Sequence, residues 1–433
     1  MTILFLSLLL FLILGVPIAY SLGLSALFYF VVHEPSLMVV MPQRLMSGMD
    51  SYALIALPLF ILMGQLASKA GLSQALFTSA HRFLGHFRGG VAMASVGGCA
   101  GFGAISGSSL ATAAIMGQAA LPELKRFKYS GLLATGCLAA GGTLGILIPP
   151  SLILIIYAVM VEANIATLFQ AALLPGILAA AGYILVIAII VRINPASGPA
   201  APKASGTERW KSILDIWGVL LIFFLVMGGI YSGIFTPTEG AGIGCVGTFL
   251  LAVTRGRMRL QGIKDVCLGT ASTTGLIFLI ILGAAVFSAF LGFTELPNDL
   301  AEFFKTSGLP PVTVIVMMVV IYILLGFIMD SLSMILLTVP IFWPIIAALD
   351  FGMPVDDVKL WFGIISLIVV EVGLITPPVG MNVFVISSMA KDVPMIETFK
   401  GVIPFFLSDA VRVAFIVWLP SLTLFLPHLL MAD

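Results

Sequence analysis

The sequence predicts an all-α polytopic membrane protein built as an inverted-topology repeat, with two re-entrant helical hairpins and two broken helices. Three observations carry the prediction. Of 433 residues, 60% are hydrophobic and only 9% are charged. A soluble domain carries about 25% charged residues and could not be coated by so few. A Gly-x-x-x-Pro-Pro motif occurs twice, at Gly145 and at Gly373. Basic residues are distributed so that the two hairpins enter from opposite sides. The 20 basic and 20 acidic residues cancel, so no net field points to nucleic acid. The 44 glycines and 24 prolines fit broken, closely packed helices.

The first apolar run, 3–32, has no Lys or Arg before Arg44 and exceeds signal-peptide length. It is read as a retained first span. Further apolar segments cover 51–68, 90–120, 129–162, 165–191, 213–235, 238–254, 268–294, 310–349, 360–389 and 402–431. The stretch 194–212, rich in Pro, Ala, Gly and Ser, has no apolar period and reads as a solvated cytoplasmic linker. It separates two halves, 1–193 and 213–433. Cys99, Cys137, Cys245 and Cys267 form no CxxC pair and read as small buried residues.

The halves share an order of features. Gly145-Ile146-Leu147-Ile148-Pro149-Pro150 matches Gly373-Leu374-Ile375-Thr376-Pro377-Pro378 at an offset of 228. Upstream of each lies a polar break, Gly101–Ser109 in one half and Gly326–Ser333 in the other. Further upstream, Gly15-Val16-Pro17 parallels Phe235-Thr236-Pro237. Arg82 and Arg88 precede the segment 90–120, and Lys125, Arg126 and Lys128 follow it. Both its ends therefore read as cytoplasmic, which makes it a hairpin. The linker and the loop 255–264, with Arg255, Arg257, Arg259 and Lys264, read the same way. Glu162, Glu295 with Asp299, and Asp350 with Asp356 and Asp357 mark the outer side and flank the second hairpin, 310–349. Lys305 and Arg44 run against this pattern. Such a repeat is the symmetry of many secondary transporters. Two amphipathic stretches, Lys69–Leu84 and Pro297–Ser307, precede the hairpins in corresponding places. They read as horizontal arms or as interfacial connectors.

The chemistry follows from the breaks. Each Pro-Pro pair removes two N–H groups, so carbonyls at Gly141–Ile148 and Gly373–Thr376 lose intrahelical partners in mid-membrane, where lipid cannot replace them. A hard monovalent cation suits such oxygen-only ligands; packing kinks are the alternative. Asp330 at the second hairpin tip and Glu371 before the second break are intramembrane carboxylates, functional candidates by default. Ser108, Thr143, Asp330, Ser333 and Asn382 are the candidate substrate contacts, with Asn382 equally able to bridge helices. Glu239 reads as interfacial. Asp409 and Arg412, spaced i, i+3, read as a self-neutralising pair.

Absences narrow the class. No P-loop occurs. The four histidines, His33, His81, His86 and His428, fall at span ends, so none can serve Ser106, Ser108 or Ser109 as a mid-membrane base. No enzymatic role is expected, and no basic-aromatic patch points to nucleic acid.

The runs GMDSYALIALPLFILMG, GFGAISGSSLATAA, GGTLGILIPPS, TPTE and GLITPPVGMN together resemble the large membrane subunit of tripartite ATP-independent periplasmic (TRAP) transporters, over nearly the whole chain. The resemblance implies Na⁺-driven import of an organic acid such as a C4-dicarboxylate or a sialic acid. It implies a periplasmic binding protein that delivers the substrate and a small four-helix membrane subunit beside this one. With no four-helix region ahead of the first repeat, that subunit is expected as a separate chain. An elevator motion and an inner-membrane location, N-terminus cytoplasmic and C-terminus periplasmic, are implied too. Carried over by motif, one Na⁺ site falls at Ser106, Ser109, Gly145 and Ile148, the other at Gly326, Gly373 and Thr376. The rival readings are a divalent-anion/Na⁺ symporter needing no binding protein, and a channel or membrane scaffold without coupled transport.

Overall fold

The computed structural model describes residues 2–33, 35–39, 41–254 and 258–431. Arg255 and Arg257 of the basic loop lie outside the described residues. Within them the chain forms twenty α-helices and no strand. This is the only spanning design, besides a closed barrel, that satisfies every backbone group without water.

In the first half, Ala56–Lys69 leads into the amphipathic helix Leu72–Leu84. A hairpin follows, Gly90–Ser106 and Ser109–Arg126. The first broken helix is Gly131–Leu147 with Leu152–Val161, bent by 44° at the break. Ile165–Ile193 closes the half. The second half repeats the order. Pro237–Thr254 and Leu260–Phe293 precede the amphipathic helix Leu296–Thr306. The second hairpin is Pro311–Leu325 and Ser331–Ala348. The second broken helix is Val355–Gly373 with Met381–Met389, and Met395–Trp418 follows. Gly206–Tyr231 is the extra crossing between the halves.

Packing between the halves is reciprocal. Ile18–His33 lies on Leu260–Phe293, and Pro237–Thr254 lies on Ala56–Lys69. Ser109–Arg126 packs on Met381–Met389, and Ser331–Ala348 on Leu152–Val161. Gly131–Leu147 meets Met395–Trp418, and Val355–Gly373 meets Ile165–Ile193. Each of these contacts has its mirror, as a two-fold relation between repeats requires. Small residues let these backbones approach: a Cβ on Gly136 would lie 2.5 Å from the Gly401 carbonyl carbon. A hydrogen bond between the halves adds specificity: Tyr157 donates to Lys359 O at 2.8 Å.

Three expectations are corrected. The run 3–32 is two helices, Thr2–Ile13 and Ile18–His33, not one span. Pro17 has no N–H to continue the ladder, and Gly15 adopts a left-handed φ of +74°. The run 402–431 also splits, into Met395–Trp418 and Ser421–Met431, at Leu419-Pro420. The stretch 194–212 is neither free nor wholly irregular. Gly89 N donates to Gly198 O at 2.9 Å, Ser130 N to Ser197 O at 3.0 Å and Ala201 N to Gly85 O at 2.8 Å. It is strapped across the foot of the first hairpin. The next helix starts early, at Gly206, because Ser205 and Glu208 form a capping box. Replacing Ser205 with Ala should speed hydrogen exchange at the amides of 207–209 roughly fivefold, the ratio a typical helix cap supports. Exchange deeper in that helix should not change.

Candidate functional site

The first hairpin turns at Gly107, whose φ of +60° suits glycine and ends the helix with a Gly107 N to Gly103 O bond of 2.9 Å. Ser108 is extended and caps the return helix, accepting from Ala111 N at 3.4 Å. Behind the tip, Ser106 Oγ and Thr112 Oγ1 share a hydrogen bond of 2.7 Å. The second tip uses a carboxylate in the same place. Asp330 caps its helix, accepting from Leu332 N at 3.1 Å and Ser333 N at 3.3 Å, and the Ser333 hydroxyl donates to it.

Each tip packs on its own broken helix through glycine. A Cβ on Gly103 would lie 2.6 Å from Gly145 Cα, and one on Gly326 would lie 2.5 Å from Gly373 Cα. Backbone touches backbone at equivalent points of both repeats, with no room for a methyl group on either side.

The breaks differ in how their carbonyls are used. At the first, no described donor reaches the carbonyls of Gly145, Ile146, Leu147 or Ile148. The residue four further on is Pro149 for Gly145 and Pro150 for Ile146, and neither has an N–H. At the second, a tight turn takes up most of them. Leu374 N donates to Glu371 O at 3.1 Å, Ile375 N to Val372 O at 3.2 Å and Thr376 N to Gly373 O at 3.1 Å. Asn382 N reaches back to Leu374 O at 3.1 Å, and Thr376 Oγ1 donates to Val372 O at 2.6 Å. The carbonyls of Gly326, Ile375 and Thr376 have no described donor. The oxygens that fit a cation are thus concentrated at the first break and, in the second half, at Gly326, Ile375 and Thr376.

Between the tips lies a cavity of about 170 Å³. Ser109, Leu152, Ser331 and Met381 all line it, and each is the first residue of a helix that starts at a tip or a break. Four helix N-termini therefore meet around one space. Each presents N–H groups that no helix carbonyl takes, and roughly half a positive charge. Asp330 is the one charged residue in the lining. Leu276, Ile277 and Ile280 of Leu260–Phe293 form the opposite wall. A second cavity of about 460 Å³ shares Ile156 with the first, and a third of about 210 Å³ shares Ser288 and Gly292 with the second and reaches Glu295.

The predicted site residues separate cleanly. Ser108, Ser109 and Asp330 line the cavity. Ser333 lies beneath the tip, spent on Asp330. Asn382 bridges the halves, its Nδ2 donating to Ser109 Oγ at 2.9 Å and Ala139 O at 3.3 Å. Thr143 donates to Ala140 O at 2.7 Å and pairs with Tyr183 at 3.0 Å. Tyr183 in turn donates to Asp409 at 2.6 Å, and Asp409 pairs with Arg412 at 2.7 Å. Thr143 thus ends a buried chain that ties both repeats together. Glu239 is exposed and forms a capping box with Thr236. Thr112, Tyr183 and Gly103 had not been singled out from the sequence. For all three only contact across the fold gives the signal. Among the described residues no group of three or more His, Cys, Asp or Glu converges.

The match to a known family decides the identity. A protein-family model described as the DctM component of tripartite ATP-independent periplasmic transporters matches residues 5–422. The chain belongs to that family. The C4-dicarboxylate TRAP transporter large permease protein DctM of Pseudomonas aeruginosa is 36% identical, over 94% of each chain. The sialic acid TRAP transporter large permease protein SiaM of Vibrio cholerae is 31% identical, over 96% of this chain and 95% of that one. The solved structure of the Alcanivorax borkumensis YdaH transporter superposes with a TM-score of 0.64, covering 89% of this chain and 88% of that one. At 13% identity that likeness shows the fold alone. As a TRAP large permease, the chain is a multi-pass membrane transporter subunit.

Proposed function

We propose that this TRAP permease imports an organic acid into the cell, driven by Na⁺. The observation that carries the reading is the cavity ringed by four helix N-termini. Carboxylates bind at such ends without a basic side chain, and here no Lys or Arg lines the space. A volume of about 170 Å³ corresponds to roughly five or six waters, which suits a small acid. The names of its relatives point to C4-dicarboxylates or sialic acids as the class. Na⁺ would be held by Ser106, Ser109 and the open carbonyls of Gly145–Ile148 at one tip, and by Gly326 and Thr376 at the other, where the Gly373 oxygen, which already accepts from Thr376 N, would have to use its second lone pair. It supplies the positive charge that lets Asp330 and the substrate carboxylate share one pocket.

The remaining assignments follow the family. A periplasmic binding protein delivers the acid, and a small four-helix subunit stays beside the permease in the inner membrane. With the basic loops inside, the N-terminus is cytoplasmic, the C-terminus periplasmic, and the repeats run 1–193 and 213–433. The three adjoining cavities then lead from the tips to the outer side at Glu295. An elevator motion would carry the hairpins and broken helices past Leu260–Phe293, whose apolar residues Leu276, Ile277 and Ile280 offer a wall without directional bonds.

The test is uptake of a labelled acid into vesicles carrying this chain, the small subunit and the loaded binding protein. An inward Na⁺ gradient should drive accumulation above equilibrium, and choline in its place should abolish it. Equal uptake with a proton gradient alone would overturn the coupling.

A further inference from the structure

The larger cavity beside the tips serves a small acid only as a passage, and its lining fits a different ligand. Its volume is about 460 Å³, against about 170 Å³ between the tips. Ligand pockets ordinarily enclose about 300–1,000 Å³. The same three helices line both spaces. Ile156 of Leu152–Val161 stands in both walls. Leu260–Phe293 runs from Ile280 at the tips to Ala284 in the larger cavity, and Ser331–Ala348 runs from Leu332 to Leu336. All five side chains at the crossing are apolar, so the two spaces meet without a polar rim.

Polarity is divided between the two. In the tip cavity the polar side chains, Ser108, Ser109, Asp330 and Ser331, all belong to the tips. In the larger one Ser288 is the one polar side chain among the described residues. A polar group entering that space would find almost no partner and lose its water. An aliphatic chain would instead bind about fourfold more tightly for each methylene buried there. Its carboxylate would stand next door, at the helix N-termini. We propose, on the reading that the tip cavity is the acid site, that the paired cavities bind a fatty acid with its head at the tips and its chain in the larger cavity. The head takes the place of the transported carboxylate. The chain lies between Leu260–Phe293 on one side and Leu152–Val161 with Ser331–Ala348 on the other. It therefore wedges the first broken helix and the second hairpin against the wall they must pass. The fatty acid is a competing blocker and not a second cargo.

Binding of radiolabelled decanoate to the purified full-length chain in Na⁺ is the test. Binding should saturate, and unlabelled hexanoate, octanoate and decanoate should displace the label with affinity rising about fourfold per methylene. Decanol, which has the chain without the charge, should displace it about tenfold less well, for want of a charge-assisted hydrogen bond. Ala285→Phe fills the larger cavity from its wall and should weaken decanoate about tenfold, the loss of two buried methylenes. Thermal unfolding establishes that the variant is folded; should it not be, Ala289→Leu fills the same cavity and should weaken decanoate in the same direction. In vesicles, decanoate should raise the KM for the transported acid and leave the maximal rate unchanged. Decanol displacing as well as decanoate, or full decanoate affinity in the folded cavity-filling variant, would overturn the site while leaving the tip cavity as the acid site. Absence of binding by any acid, short or long, together with absence of Na⁺-driven uptake would overturn the acid-site reading itself, and the blocker site with it.

Discussion

Gly145→Ala should abolish Na⁺-driven uptake while leaving the protein folded. The new Cβ would lie 2.6 Å from Ser108 O, a backbone atom that cannot step aside as a side chain can. Relieving it pushes the first tip away from the open carbonyls at the first break. Overpacking of this kind costs about 1–3 kcal/mol of stability, too little to unfold a large helical bundle but enough to displace the tip. Gly373→Ala should act alike at the second tip, where the Cβ would lie 2.8 Å from Gly326 Cα. Gly97→Ala on the same hairpin is the control. There the nearest atom is Ala80 Cβ at 3.8 Å, an ordinary contact, and uptake should stay near the parent rate. Initial uptake rates, normalised to folded protein in the vesicles, give the comparison.

Arg412→Leu should be among the most destabilising single changes in the chain. Asp409 is 2% exposed and Arg412 8% exposed. Removing the cation strands the carboxylate, held only by Tyr183, and breaking a buried pair from one side costs about 3–5 kcal/mol. The loss would travel along Tyr183 to Thr143, between the first broken helix and the last long helix. Replacing both partners, Asp409→Leu with Arg412→Met, should recover most of the thermal stability, because two apolar groups need no partners. A double variant as unstable as the single one would show that the pair is not the source of the effect.

These two cases mark what was legible in the sequence. The breaks were, because a proline pair deletes N–H groups wherever it stands, and Gly145, Gly326 and Gly373 could be aligned by offset. The amphipathic helices before each hairpin were legible for the same reason, as faces of unequal polarity. Gly15-Val16-Pro17 is legible as a repeat feature, but that it and Pro420 divide their spans is not, because hydropathy averages across a single interruption. The start at Gly206 was missed because a capping box is local chemistry inside an apolar-poor stretch. The bridge from Ser109 to Asn382 joins residues far apart in the chain, and so does the chain from Thr143 to Asp409. One-dimensional spacing cannot show which hydroxyl faces which carboxylate. The use of the second break's carbonyls by a tight turn was equally hidden, since it depends on how Asn382 folds back.

The central claim is that oxygens exposed by the mid-membrane breaks hold Na⁺ and thereby fix the hairpin tips. Hydrogen exchange of the full-length chain, measured in Na⁺ and in choline at equal ionic strength, tests it directly. The amides of 107–112 and of 331–334 should exchange more slowly in Na⁺, while those of Gly206–Tyr231, remote from both tips, should not respond. Identical exchange at both tips in the two salts would contradict the account.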